Sequence, residues 1–198
     1  MRLFEAYPVG MPGLVAMAAG ALLFFALLLR TSVAAGGAGA GEKRSAASRL
    51  GILVQMAGFA AVGFGTLRIG LPPGSPAAIA TAAAVAALMG SAALMFRAAS
   101  RAMGANWSLA ARMRDDHSLV TWGIFARLRH PIYTAMGLFL AAEALALGHY
   151  GQLLIGVPLF LVGTALRVRE EERMLGARFG AAYADYAGRV KRFLPGIA

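Results

Sequence analysis

The chain has no cysteine among its 198 residues, so disulfides, thiolate metal sites and cysteine nucleophiles are excluded from the outset. Charge is scarce as well. Asp, Glu, Lys and Arg make up 14% of residues against 59% hydrophobic, a ratio that no ordinary water-soluble domain of this size could wrap in polar surface. Acidic residues are scarcer still, 9 against 19 Lys and Arg, for a formal net charge of +10. Such basicity would suggest a nucleic-acid partner if the charges formed a patch, but they sit between apolar runs. No acidic residue precedes a Gly-rich turn after any strand-like run, so a soluble dinucleotide-binding domain has no footing either.

What the chain does have is long apolar sequence. Spanning about 30 Å of hydrocarbon takes about 20 helical residues, because each residue rises about 1.5 Å and every backbone polar group must be paired internally. Five segments approach that length: Leu14 to Val33, Leu50 to Leu71, Ala77 to Phe96, Pro131 to Leu147 and Gln152 to Leu166. The last two, separated by Gly148-His149-Tyr150-Gly151, read as a tight antiparallel hairpin. The expectation is an all-α integral membrane protein with five transmembrane helices, one domain over residues 1–198 whose first three helices lie in 1–96. The first run is too long, and its leading segment too weakly basic, for a signal peptide.

Lys and Arg number 1 before the first run, then 4 from Arg30 to Arg49, 1 in the next connection, 6 from Arg97 to Arg129, 0 in the hairpin turn and 7 from Arg167 onward. Positive-inside bias therefore predicts the N-terminus outside, the C-terminus cytoplasmic and 17 of the 19 basic residues on the cytoplasmic side. The basicity is then topology, and no nucleic-acid partner is expected. The stretch from Gly36 to Gly41 looks superficially like a phosphate loop, but it follows a helix rather than a strand and reads as a flexible linker.

Two polar stretches, Arg97 to Tyr133 and Arg167 to Pro195, hold almost all the residues able to do chemistry. His130 and Pro131 stand at the start of the fourth helix, where open amides and the helix dipole suit an anion; the alternative is that Arg127, Arg129 and His130 anchor a helix end at the headgroups. Residues Leu166 to Pro195 are expected to continue the fifth helix into water as an amphipathic helix. There Arg167 is spaced to pair with Glu171, and Arg169 lies within a helical turn of Glu172 and Arg173. Such a run is ordinarily a solvated surface, but here it emerges beside the bilayer, with Phe179, Tyr183, Tyr186 and Phe193 forming a face that lies on the membrane or covers a cavity. Glu143, inside the fourth helix, is expected to snorkel to the outer interface. His149 and the Asp115-Asp116-His117 cluster read as solvated turns, and no metal is expected.

Several phrases, in order, resemble one family. They are Gly104-Ala105-Asn106-Trp107, His117-x-Leu119-Val120-Thr121-x-Gly123, Arg129-His130-Pro131-x-Tyr133, Arg167-x-Arg169-x-Glu171-Glu172, Phe179-Gly180-x-x-Tyr183-x-x-Tyr186 and Arg192-Phe193-Leu194-Pro195. Over about half the chain these are similar to the isoprenylcysteine carboxyl methyltransferases and their bacterial relatives, a group that includes phospholipid methyltransferases. The resemblance implies an integral-membrane methyltransferase using S-adenosylmethionine, with a catalytic part in 97–198 closed by the C-terminal helix. It implies cofactor contacts from His117, Leu119, Val120, Arg129, His130, Pro131, Tyr133, Glu171, Glu172 and Tyr183, and catalytic roles for Arg167, Arg169 and Glu171. It also implies a hydrophobic or lipid-like acceptor from the bilayer; the charge bias puts the expected site on the cytoplasmic side, and the Ala, Gly and Arg bias points to a prokaryotic inner membrane. Two positions depart from the family pattern: Ile124-Phe125 replaces Pro-Tyr, which argues against a polar role for Phe125, and Ala135 replaces a glycine. An NADPH-dependent membrane reductase of the sterol reductase type and a non-catalytic membrane scaffold are the competing expectations.

Overall fold

A computed structural model describes residues 4–34, 45–108 and 118–194. The Gly-rich stretch 36–41, the Asp115-Asp116-His117 cluster and Pro195 lie outside the described residues. Among those described, six α-helices form: α1 (Met11–Ala34), α2 (Ala46–Gly63), α3 (Pro76–Met103), α4 (Pro131–Leu147), α5 (Leu153–Phe179) and α6 (Ala181–Arg189). Two 3-10 turns, Gly104–Asn106 and Gly123–Ala126, connect α3 to α4, and pairing of extended backbone is confined to the isolated bridges Val9–Ile69 and Leu128–Lys191. The fold is all-helical, and α1, α2 and α3 are long and apolar enough to cross a membrane; α4 is apolar but only 17 residues long.

The helix starts follow from local chemistry. Ser45 and Ser75 accept hydrogen bonds from the amides of Ser48 and Ala78, each satisfying one of the orphan donors of a first turn, and Pro76 and Pro131 open α3 and α4. Two boundaries differ from the sequence expectation. Helix α2 stops at Gly63 rather than Leu71, because the next segment pairs its backbone elsewhere: Val9 N–H donates to Arg68 O at 2.9 Å, and the amides of Gly70 and Leu71 donate to Val9 O at 3.0 and 3.1 Å. The C-terminal stretch is not one helix, since α5 runs unbroken to Phe179 and is then turned by Gly180 at φ 51° into the short α6.

Small residues set how the helices approach, as expected where lipid gives no hydrophobic drive for association. Helices α2 and α5 run antiparallel at such close range that a Cβ on Gly163 would lie 2.6 Å from Gly51 O, and one on Gly156 would lie 2.4 Å from a Val62 methyl. On the other side α1 lies parallel to α3, with Gly20 against the Met89 side chain, and α4 packs on α3. The expected tight hairpin of α4 and α5 is therefore open: α4 belongs with α1 and α3, α5 belongs with α2, and the two make few close approaches. One chain of aromatic contacts, Phe96–Phe24–Phe139–Phe59–Phe160, crosses between the groups with ring centroids 5.1 to 6.0 Å apart and touches all five long helices.

The turn after α4, expected to be solvated, is buried at Gly148 and His149 and exposed at Tyr150. Gly148, at φ 69°, brings its carbonyl to Tyr7 N–H at 3.0 Å, and a Cβ there would meet Tyr7 O at 2.4 Å. His149 is 1% exposed, with Nδ1 2.7 Å from Val62 O, so it ties the turn to the end of α2 instead of facing water.

The α2–α5 seam gives a direct test. Gly163→Ala forces backbone apart and is expected to cost about 1–3 kcal/mol of stability, read as a lower midpoint of thermal unfolding in detergent. Gly137→Ala, whose new methyl would meet Phe160 only at an ordinary 3.7 Å, is expected to leave the midpoint unchanged or raise it.

Candidate active site

The residues before α4 are held as an extended segment. Arg129 N–H donates to Lys191 O at 2.8 Å, His130 N–H to Arg192 O at 2.9 Å, and the Thr134 hydroxyl to Phe193 O at 3.0 Å. Tyr133 and Thr134 N–H turn back to His130 O, and Pro131 has no N–H to offer. The amides expected to cradle an anion at this helix start are thus largely used within the fold. What the segment presents instead is side chains.

Those side chains converge on two neighbouring glutamates of α5. Glu172 accepts from Arg129 Nη1 at 2.7 Å, from His130 Nε2 at 3.1 Å, and from Arg192 through Nη2 at 2.7 Å and Nε at 3.0 Å. Burial alone would raise this carboxyl, but His130 and the two guanidinium groups outweigh it and pull the pKa down to about 2. His130 is buried between carboxylates on both sides, its Nδ1 3.6 Å from Glu171 Oε2. Desolvation acts to lower its pKa, and Glu171 and Glu172 together reverse this, so the net shift is upward and the imidazolium is favoured.

Glu171 turns the other way, accepting a short hydrogen bond from the Tyr133 hydroxyl. Over the Tyr133 ring, 5.0 Å from its centroid, lies the Arg167 guanidinium, 7% exposed and donating to Gln55 Oε1 at 2.8 Å. Gln55 in turn donates to the Thr164 hydroxyl at 2.8 Å, so Arg167 is aimed from two helices at once. Helix α6 covers the 3-10 turn beside this cluster: Tyr186 OH donates to Phe125 O at 2.7 Å, burial pushes its pKa up to about 12, and Tyr183 OH lies 3.4 Å from Arg129.

A cavity of about 550 Å³ opens between the two helix groups. Arg129, His130, Pro131, Tyr133, Arg167 and Glu171 line one end; the walls are apolar, with Phe24, Phe59 and Phe139 among them. Of the remaining residues singled out from sequence, Glu172 and Tyr183 adjoin this end without lining it. Arg169 is exposed and off the cavity, Val120 packs against Ala99, Ala102 and Phe125, Leu119 is half-buried away from the wall, and His117 lies outside the described residues. Glu143, expected to snorkel, lines the cavity, with its Oε2 buried and no hydrogen-bond partner for that atom among the described residues. The helix-surface pairing read from spacing also gives way: Glu172 and Arg167 find partners on other segments, and Arg173 pairs with Glu170. Sequence reasoning missed Gln55, whose signal was a lone amide inside an apolar run, and gave no role to Arg192, which was part of a family-like phrase and closes the Glu172 cluster.

Residues 83–177 match the sequence model of the isoprenylcysteine carboxyl methyltransferase (ICMT) family. The match runs from mid-α3 to near the end of α5 and contains Arg129, His130, Tyr133, Arg167, Glu171 and Glu172. Two curated relatives are named protein-S-isoprenylcysteine O-methyltransferase: that of Schizosaccharomyces pombe is 30% identical over 87 residues, 44% of this chain, and that of Dictyostelium discoideum is 34% identical over 92 residues, 42% of this chain. These alignments cover 37% and 35% of the relatives, so the chain spans a little over a third of the length of each. Gln55 and Arg192 lie outside the ICMT match, although both hold residues inside it.

The cluster sets a pH window whose sign can be worked out. His130, raised above 6.5, contributes stability that is complete below 6.5 and fades as pH climbs through its higher folded value. Glu172, lowered from 4.5 to about 2, contributes stability that is complete above 4.5 and fades as pH falls toward 2. The thermal midpoint is therefore expected to peak between these limits, with His130→Gln flattening the alkaline side. Glu172→Gln should flatten the acid side and cost about 3 kcal/mol, because it leaves buried cations unpaired.

Proposed function

We propose that this protein is an integral-membrane methyltransferase that uses S-adenosylmethionine and acts on a hydrophobic or lipid-like acceptor at the cytoplasmic face of a prokaryotic inner membrane. In this reading α1 to α5 all cross the bilayer, with the N-terminus outside and the C-terminus in the cytoplasm. The observation that carries it is one cavity joining a cluster of fixed charges to an apolar chamber, with the residues of its charged end, Gln55 apart, in a segment similar to the ICMT family.

The donor set fits a zwitterionic cofactor. Arg129 lines the cavity with its Nε buried and without a hydrogen-bond partner among the described residues, a donor suited to a carboxylate, while Glu171 offers an acceptor suited to an ammonium or to ribose hydroxyls. When bound, S-adenosylmethionine supplies a methyl group activated by its sulfonium. Arg167, fixed by Gln55 and stacked on Tyr133, is preorganised to hold an acceptor carboxylate bidentately, and holding the reactants in line provides most of what such a displacement needs. If the acceptor is instead an amine, Glu171 is the base within reach of the same chamber. Arg169, exposed and off the cavity, takes no part in this scheme. Phe25 of α1 and Met56 of α2 line the cavity yet stay more than half exposed, which supports entry of the acceptor from the bilayer between those helices. The apolar walls keep water from the transfer.

A reductase would need an arginine cluster for the 2′-phosphate of NADPH, and Arg129 and Arg192 are already engaged by Glu172. Calorimetric titration of the purified protein with S-adenosylhomocysteine and with NADPH separates the two readings. Binding of the former is expected, weakened at least about tenfold by Glu171→Gln, the worth of one charge-assisted hydrogen bond, with the helical circular dichroism spectrum retained. Binding of NADPH alone would overturn the proposal, and a C-terminal reporter active only outside the cell would overturn the orientation.

A further inference from the structure

Glu143 is the sole acidic residue between Asp116 and Glu170, and it sits in an apolar helix where an ionisable group is costly. It lines the same cavity as Arg167 and Glu171. Its Oε1 rests beside the last residue of α2, where Gly63 leaves room; a Cβ at that position would come within 3.0 Å of the oxygen. Its Oε2 is buried with no hydrogen-bond partner among the described residues. Between Glu143 and the charged end the lining is apolar, including Phe59 on α2 and Met136 and Phe139 on α4. A buried acceptor left unmatched costs the full desolvation of the group, so a hydrocarbon-ended ligand would be poorly served here.

We propose that Glu143 binds a hydrogen-bond donor, a hydroxyl or an amine, at the far end of an elongated acceptor whose methylated end lies at Arg167 and Glu171. This rests on the reading of the cavity as the acceptor chamber. Tyr133 and Glu143 stand ten residues apart on α4, about 15 Å along a helix axis. The acceptor class is therefore a chain with two polar ends and an apolar middle of that length, rather than a lipid tail ending in methyl groups.

The test compares equilibrium binding of radiolabelled myristate, ω-hydroxymyristate and ω-aminomyristate to the purified protein in detergent, with methyl transfer from labelled S-adenosylmethionine read separately. Wild type is expected to hold at least one of the substituted chains about tenfold more tightly than myristate, the worth of one buried hydrogen bond. Glu143→Leu, which removes a buried unsatisfied group and fits the apolar wall, should bring that ratio to about one. Glu143→Gln keeps an acceptor oxygen and should retain a hydroxyl preference while losing any amine preference. Equal binding of all three chains by wild type, a preference that survives Glu143→Leu, or no binding of any chain would each overturn the assignment. A normal preference with no methyl transfer would leave the distal contact standing and count against the transferase reading instead.

Discussion

The charged end of the bundle depends on the Glu172 carboxylate. It gathers Arg129, His130 and Arg192 from segments 43, 42 and 20 residues away in sequence, and through Arg129 it reaches Tyr183 on α6. Desolvating so many charges is expensive, and the arrangement holds because nearly every donor direction meets an oxygen and one pairing, with Arg192, is bidentate. This joint fixes the entry to α4, pins residues 191–193 beside it and sets α6 over the 3-10 turn at 123–126. The single negative charge of Glu172 faces three basic side chains, and Glu171 adds a second carboxylate on the other side of His130. Adjacent residues on a helix point about 100° apart, so Glu172 can be consumed by structure while Glu171 faces the chamber.

The chamber itself follows from a packing choice made elsewhere. Because glycines let α2 and α5 approach until backbone nearly touches backbone, α5 is drawn away from α4, its neighbour in sequence. Across the gap that results run the aromatic chain through Phe139, Phe59 and Phe160, a small apolar cluster of Val62, Leu140, Ala144 and Phe160, and polar contacts at the charged end. The same close seam brings Gln55 within reach of both Thr164 and Arg167, so the residues that open the cavity also aim its arginine. A larger side chain at Gly51 or Gly163 would disturb both at once.

The long helices were legible because apolar runs of bilayer length have few other uses, and the phrase around His130 and Pro131 marked a helix start that the fold keeps. What the pattern could not resolve was the choice among chemically equal alternatives. Ile69 and Leu71 are apolar whether they extend α2 or pair with Val9, so the end of α2 was placed eight residues late. Helical spacing offered Arg167 a partner in Glu171, but long-range neighbours took precedence: Gln55 is 112 residues away. His149 looked like a turn residue because its two carbonyl partners belong to a distant segment. Arg167 and Arg169 stand two residues apart in one charged run, and which of them is buried in the bundle is decided by the helix face that meets α2.

Placement of charge along the bundle explains the division of the cavity. The cluster lies at the end where α1 and α3 finish and α2 and α4 begin, the end whose connections hold 17 of the 19 basic residues. Concentrating ionic groups there spares the apolar middle a cost of several kcal/mol for each buried ion. A ligand that met only this end would leave most of the chamber unused, and one that met only the chamber would leave Arg129 Nε unmatched. The charged end and the apolar chamber thus suit ligand groups of opposite character, and Glu143, its Oε2 buried without a hydrogen-bond partner among the described residues, is a polar contact that a purely apolar occupant would leave unmatched.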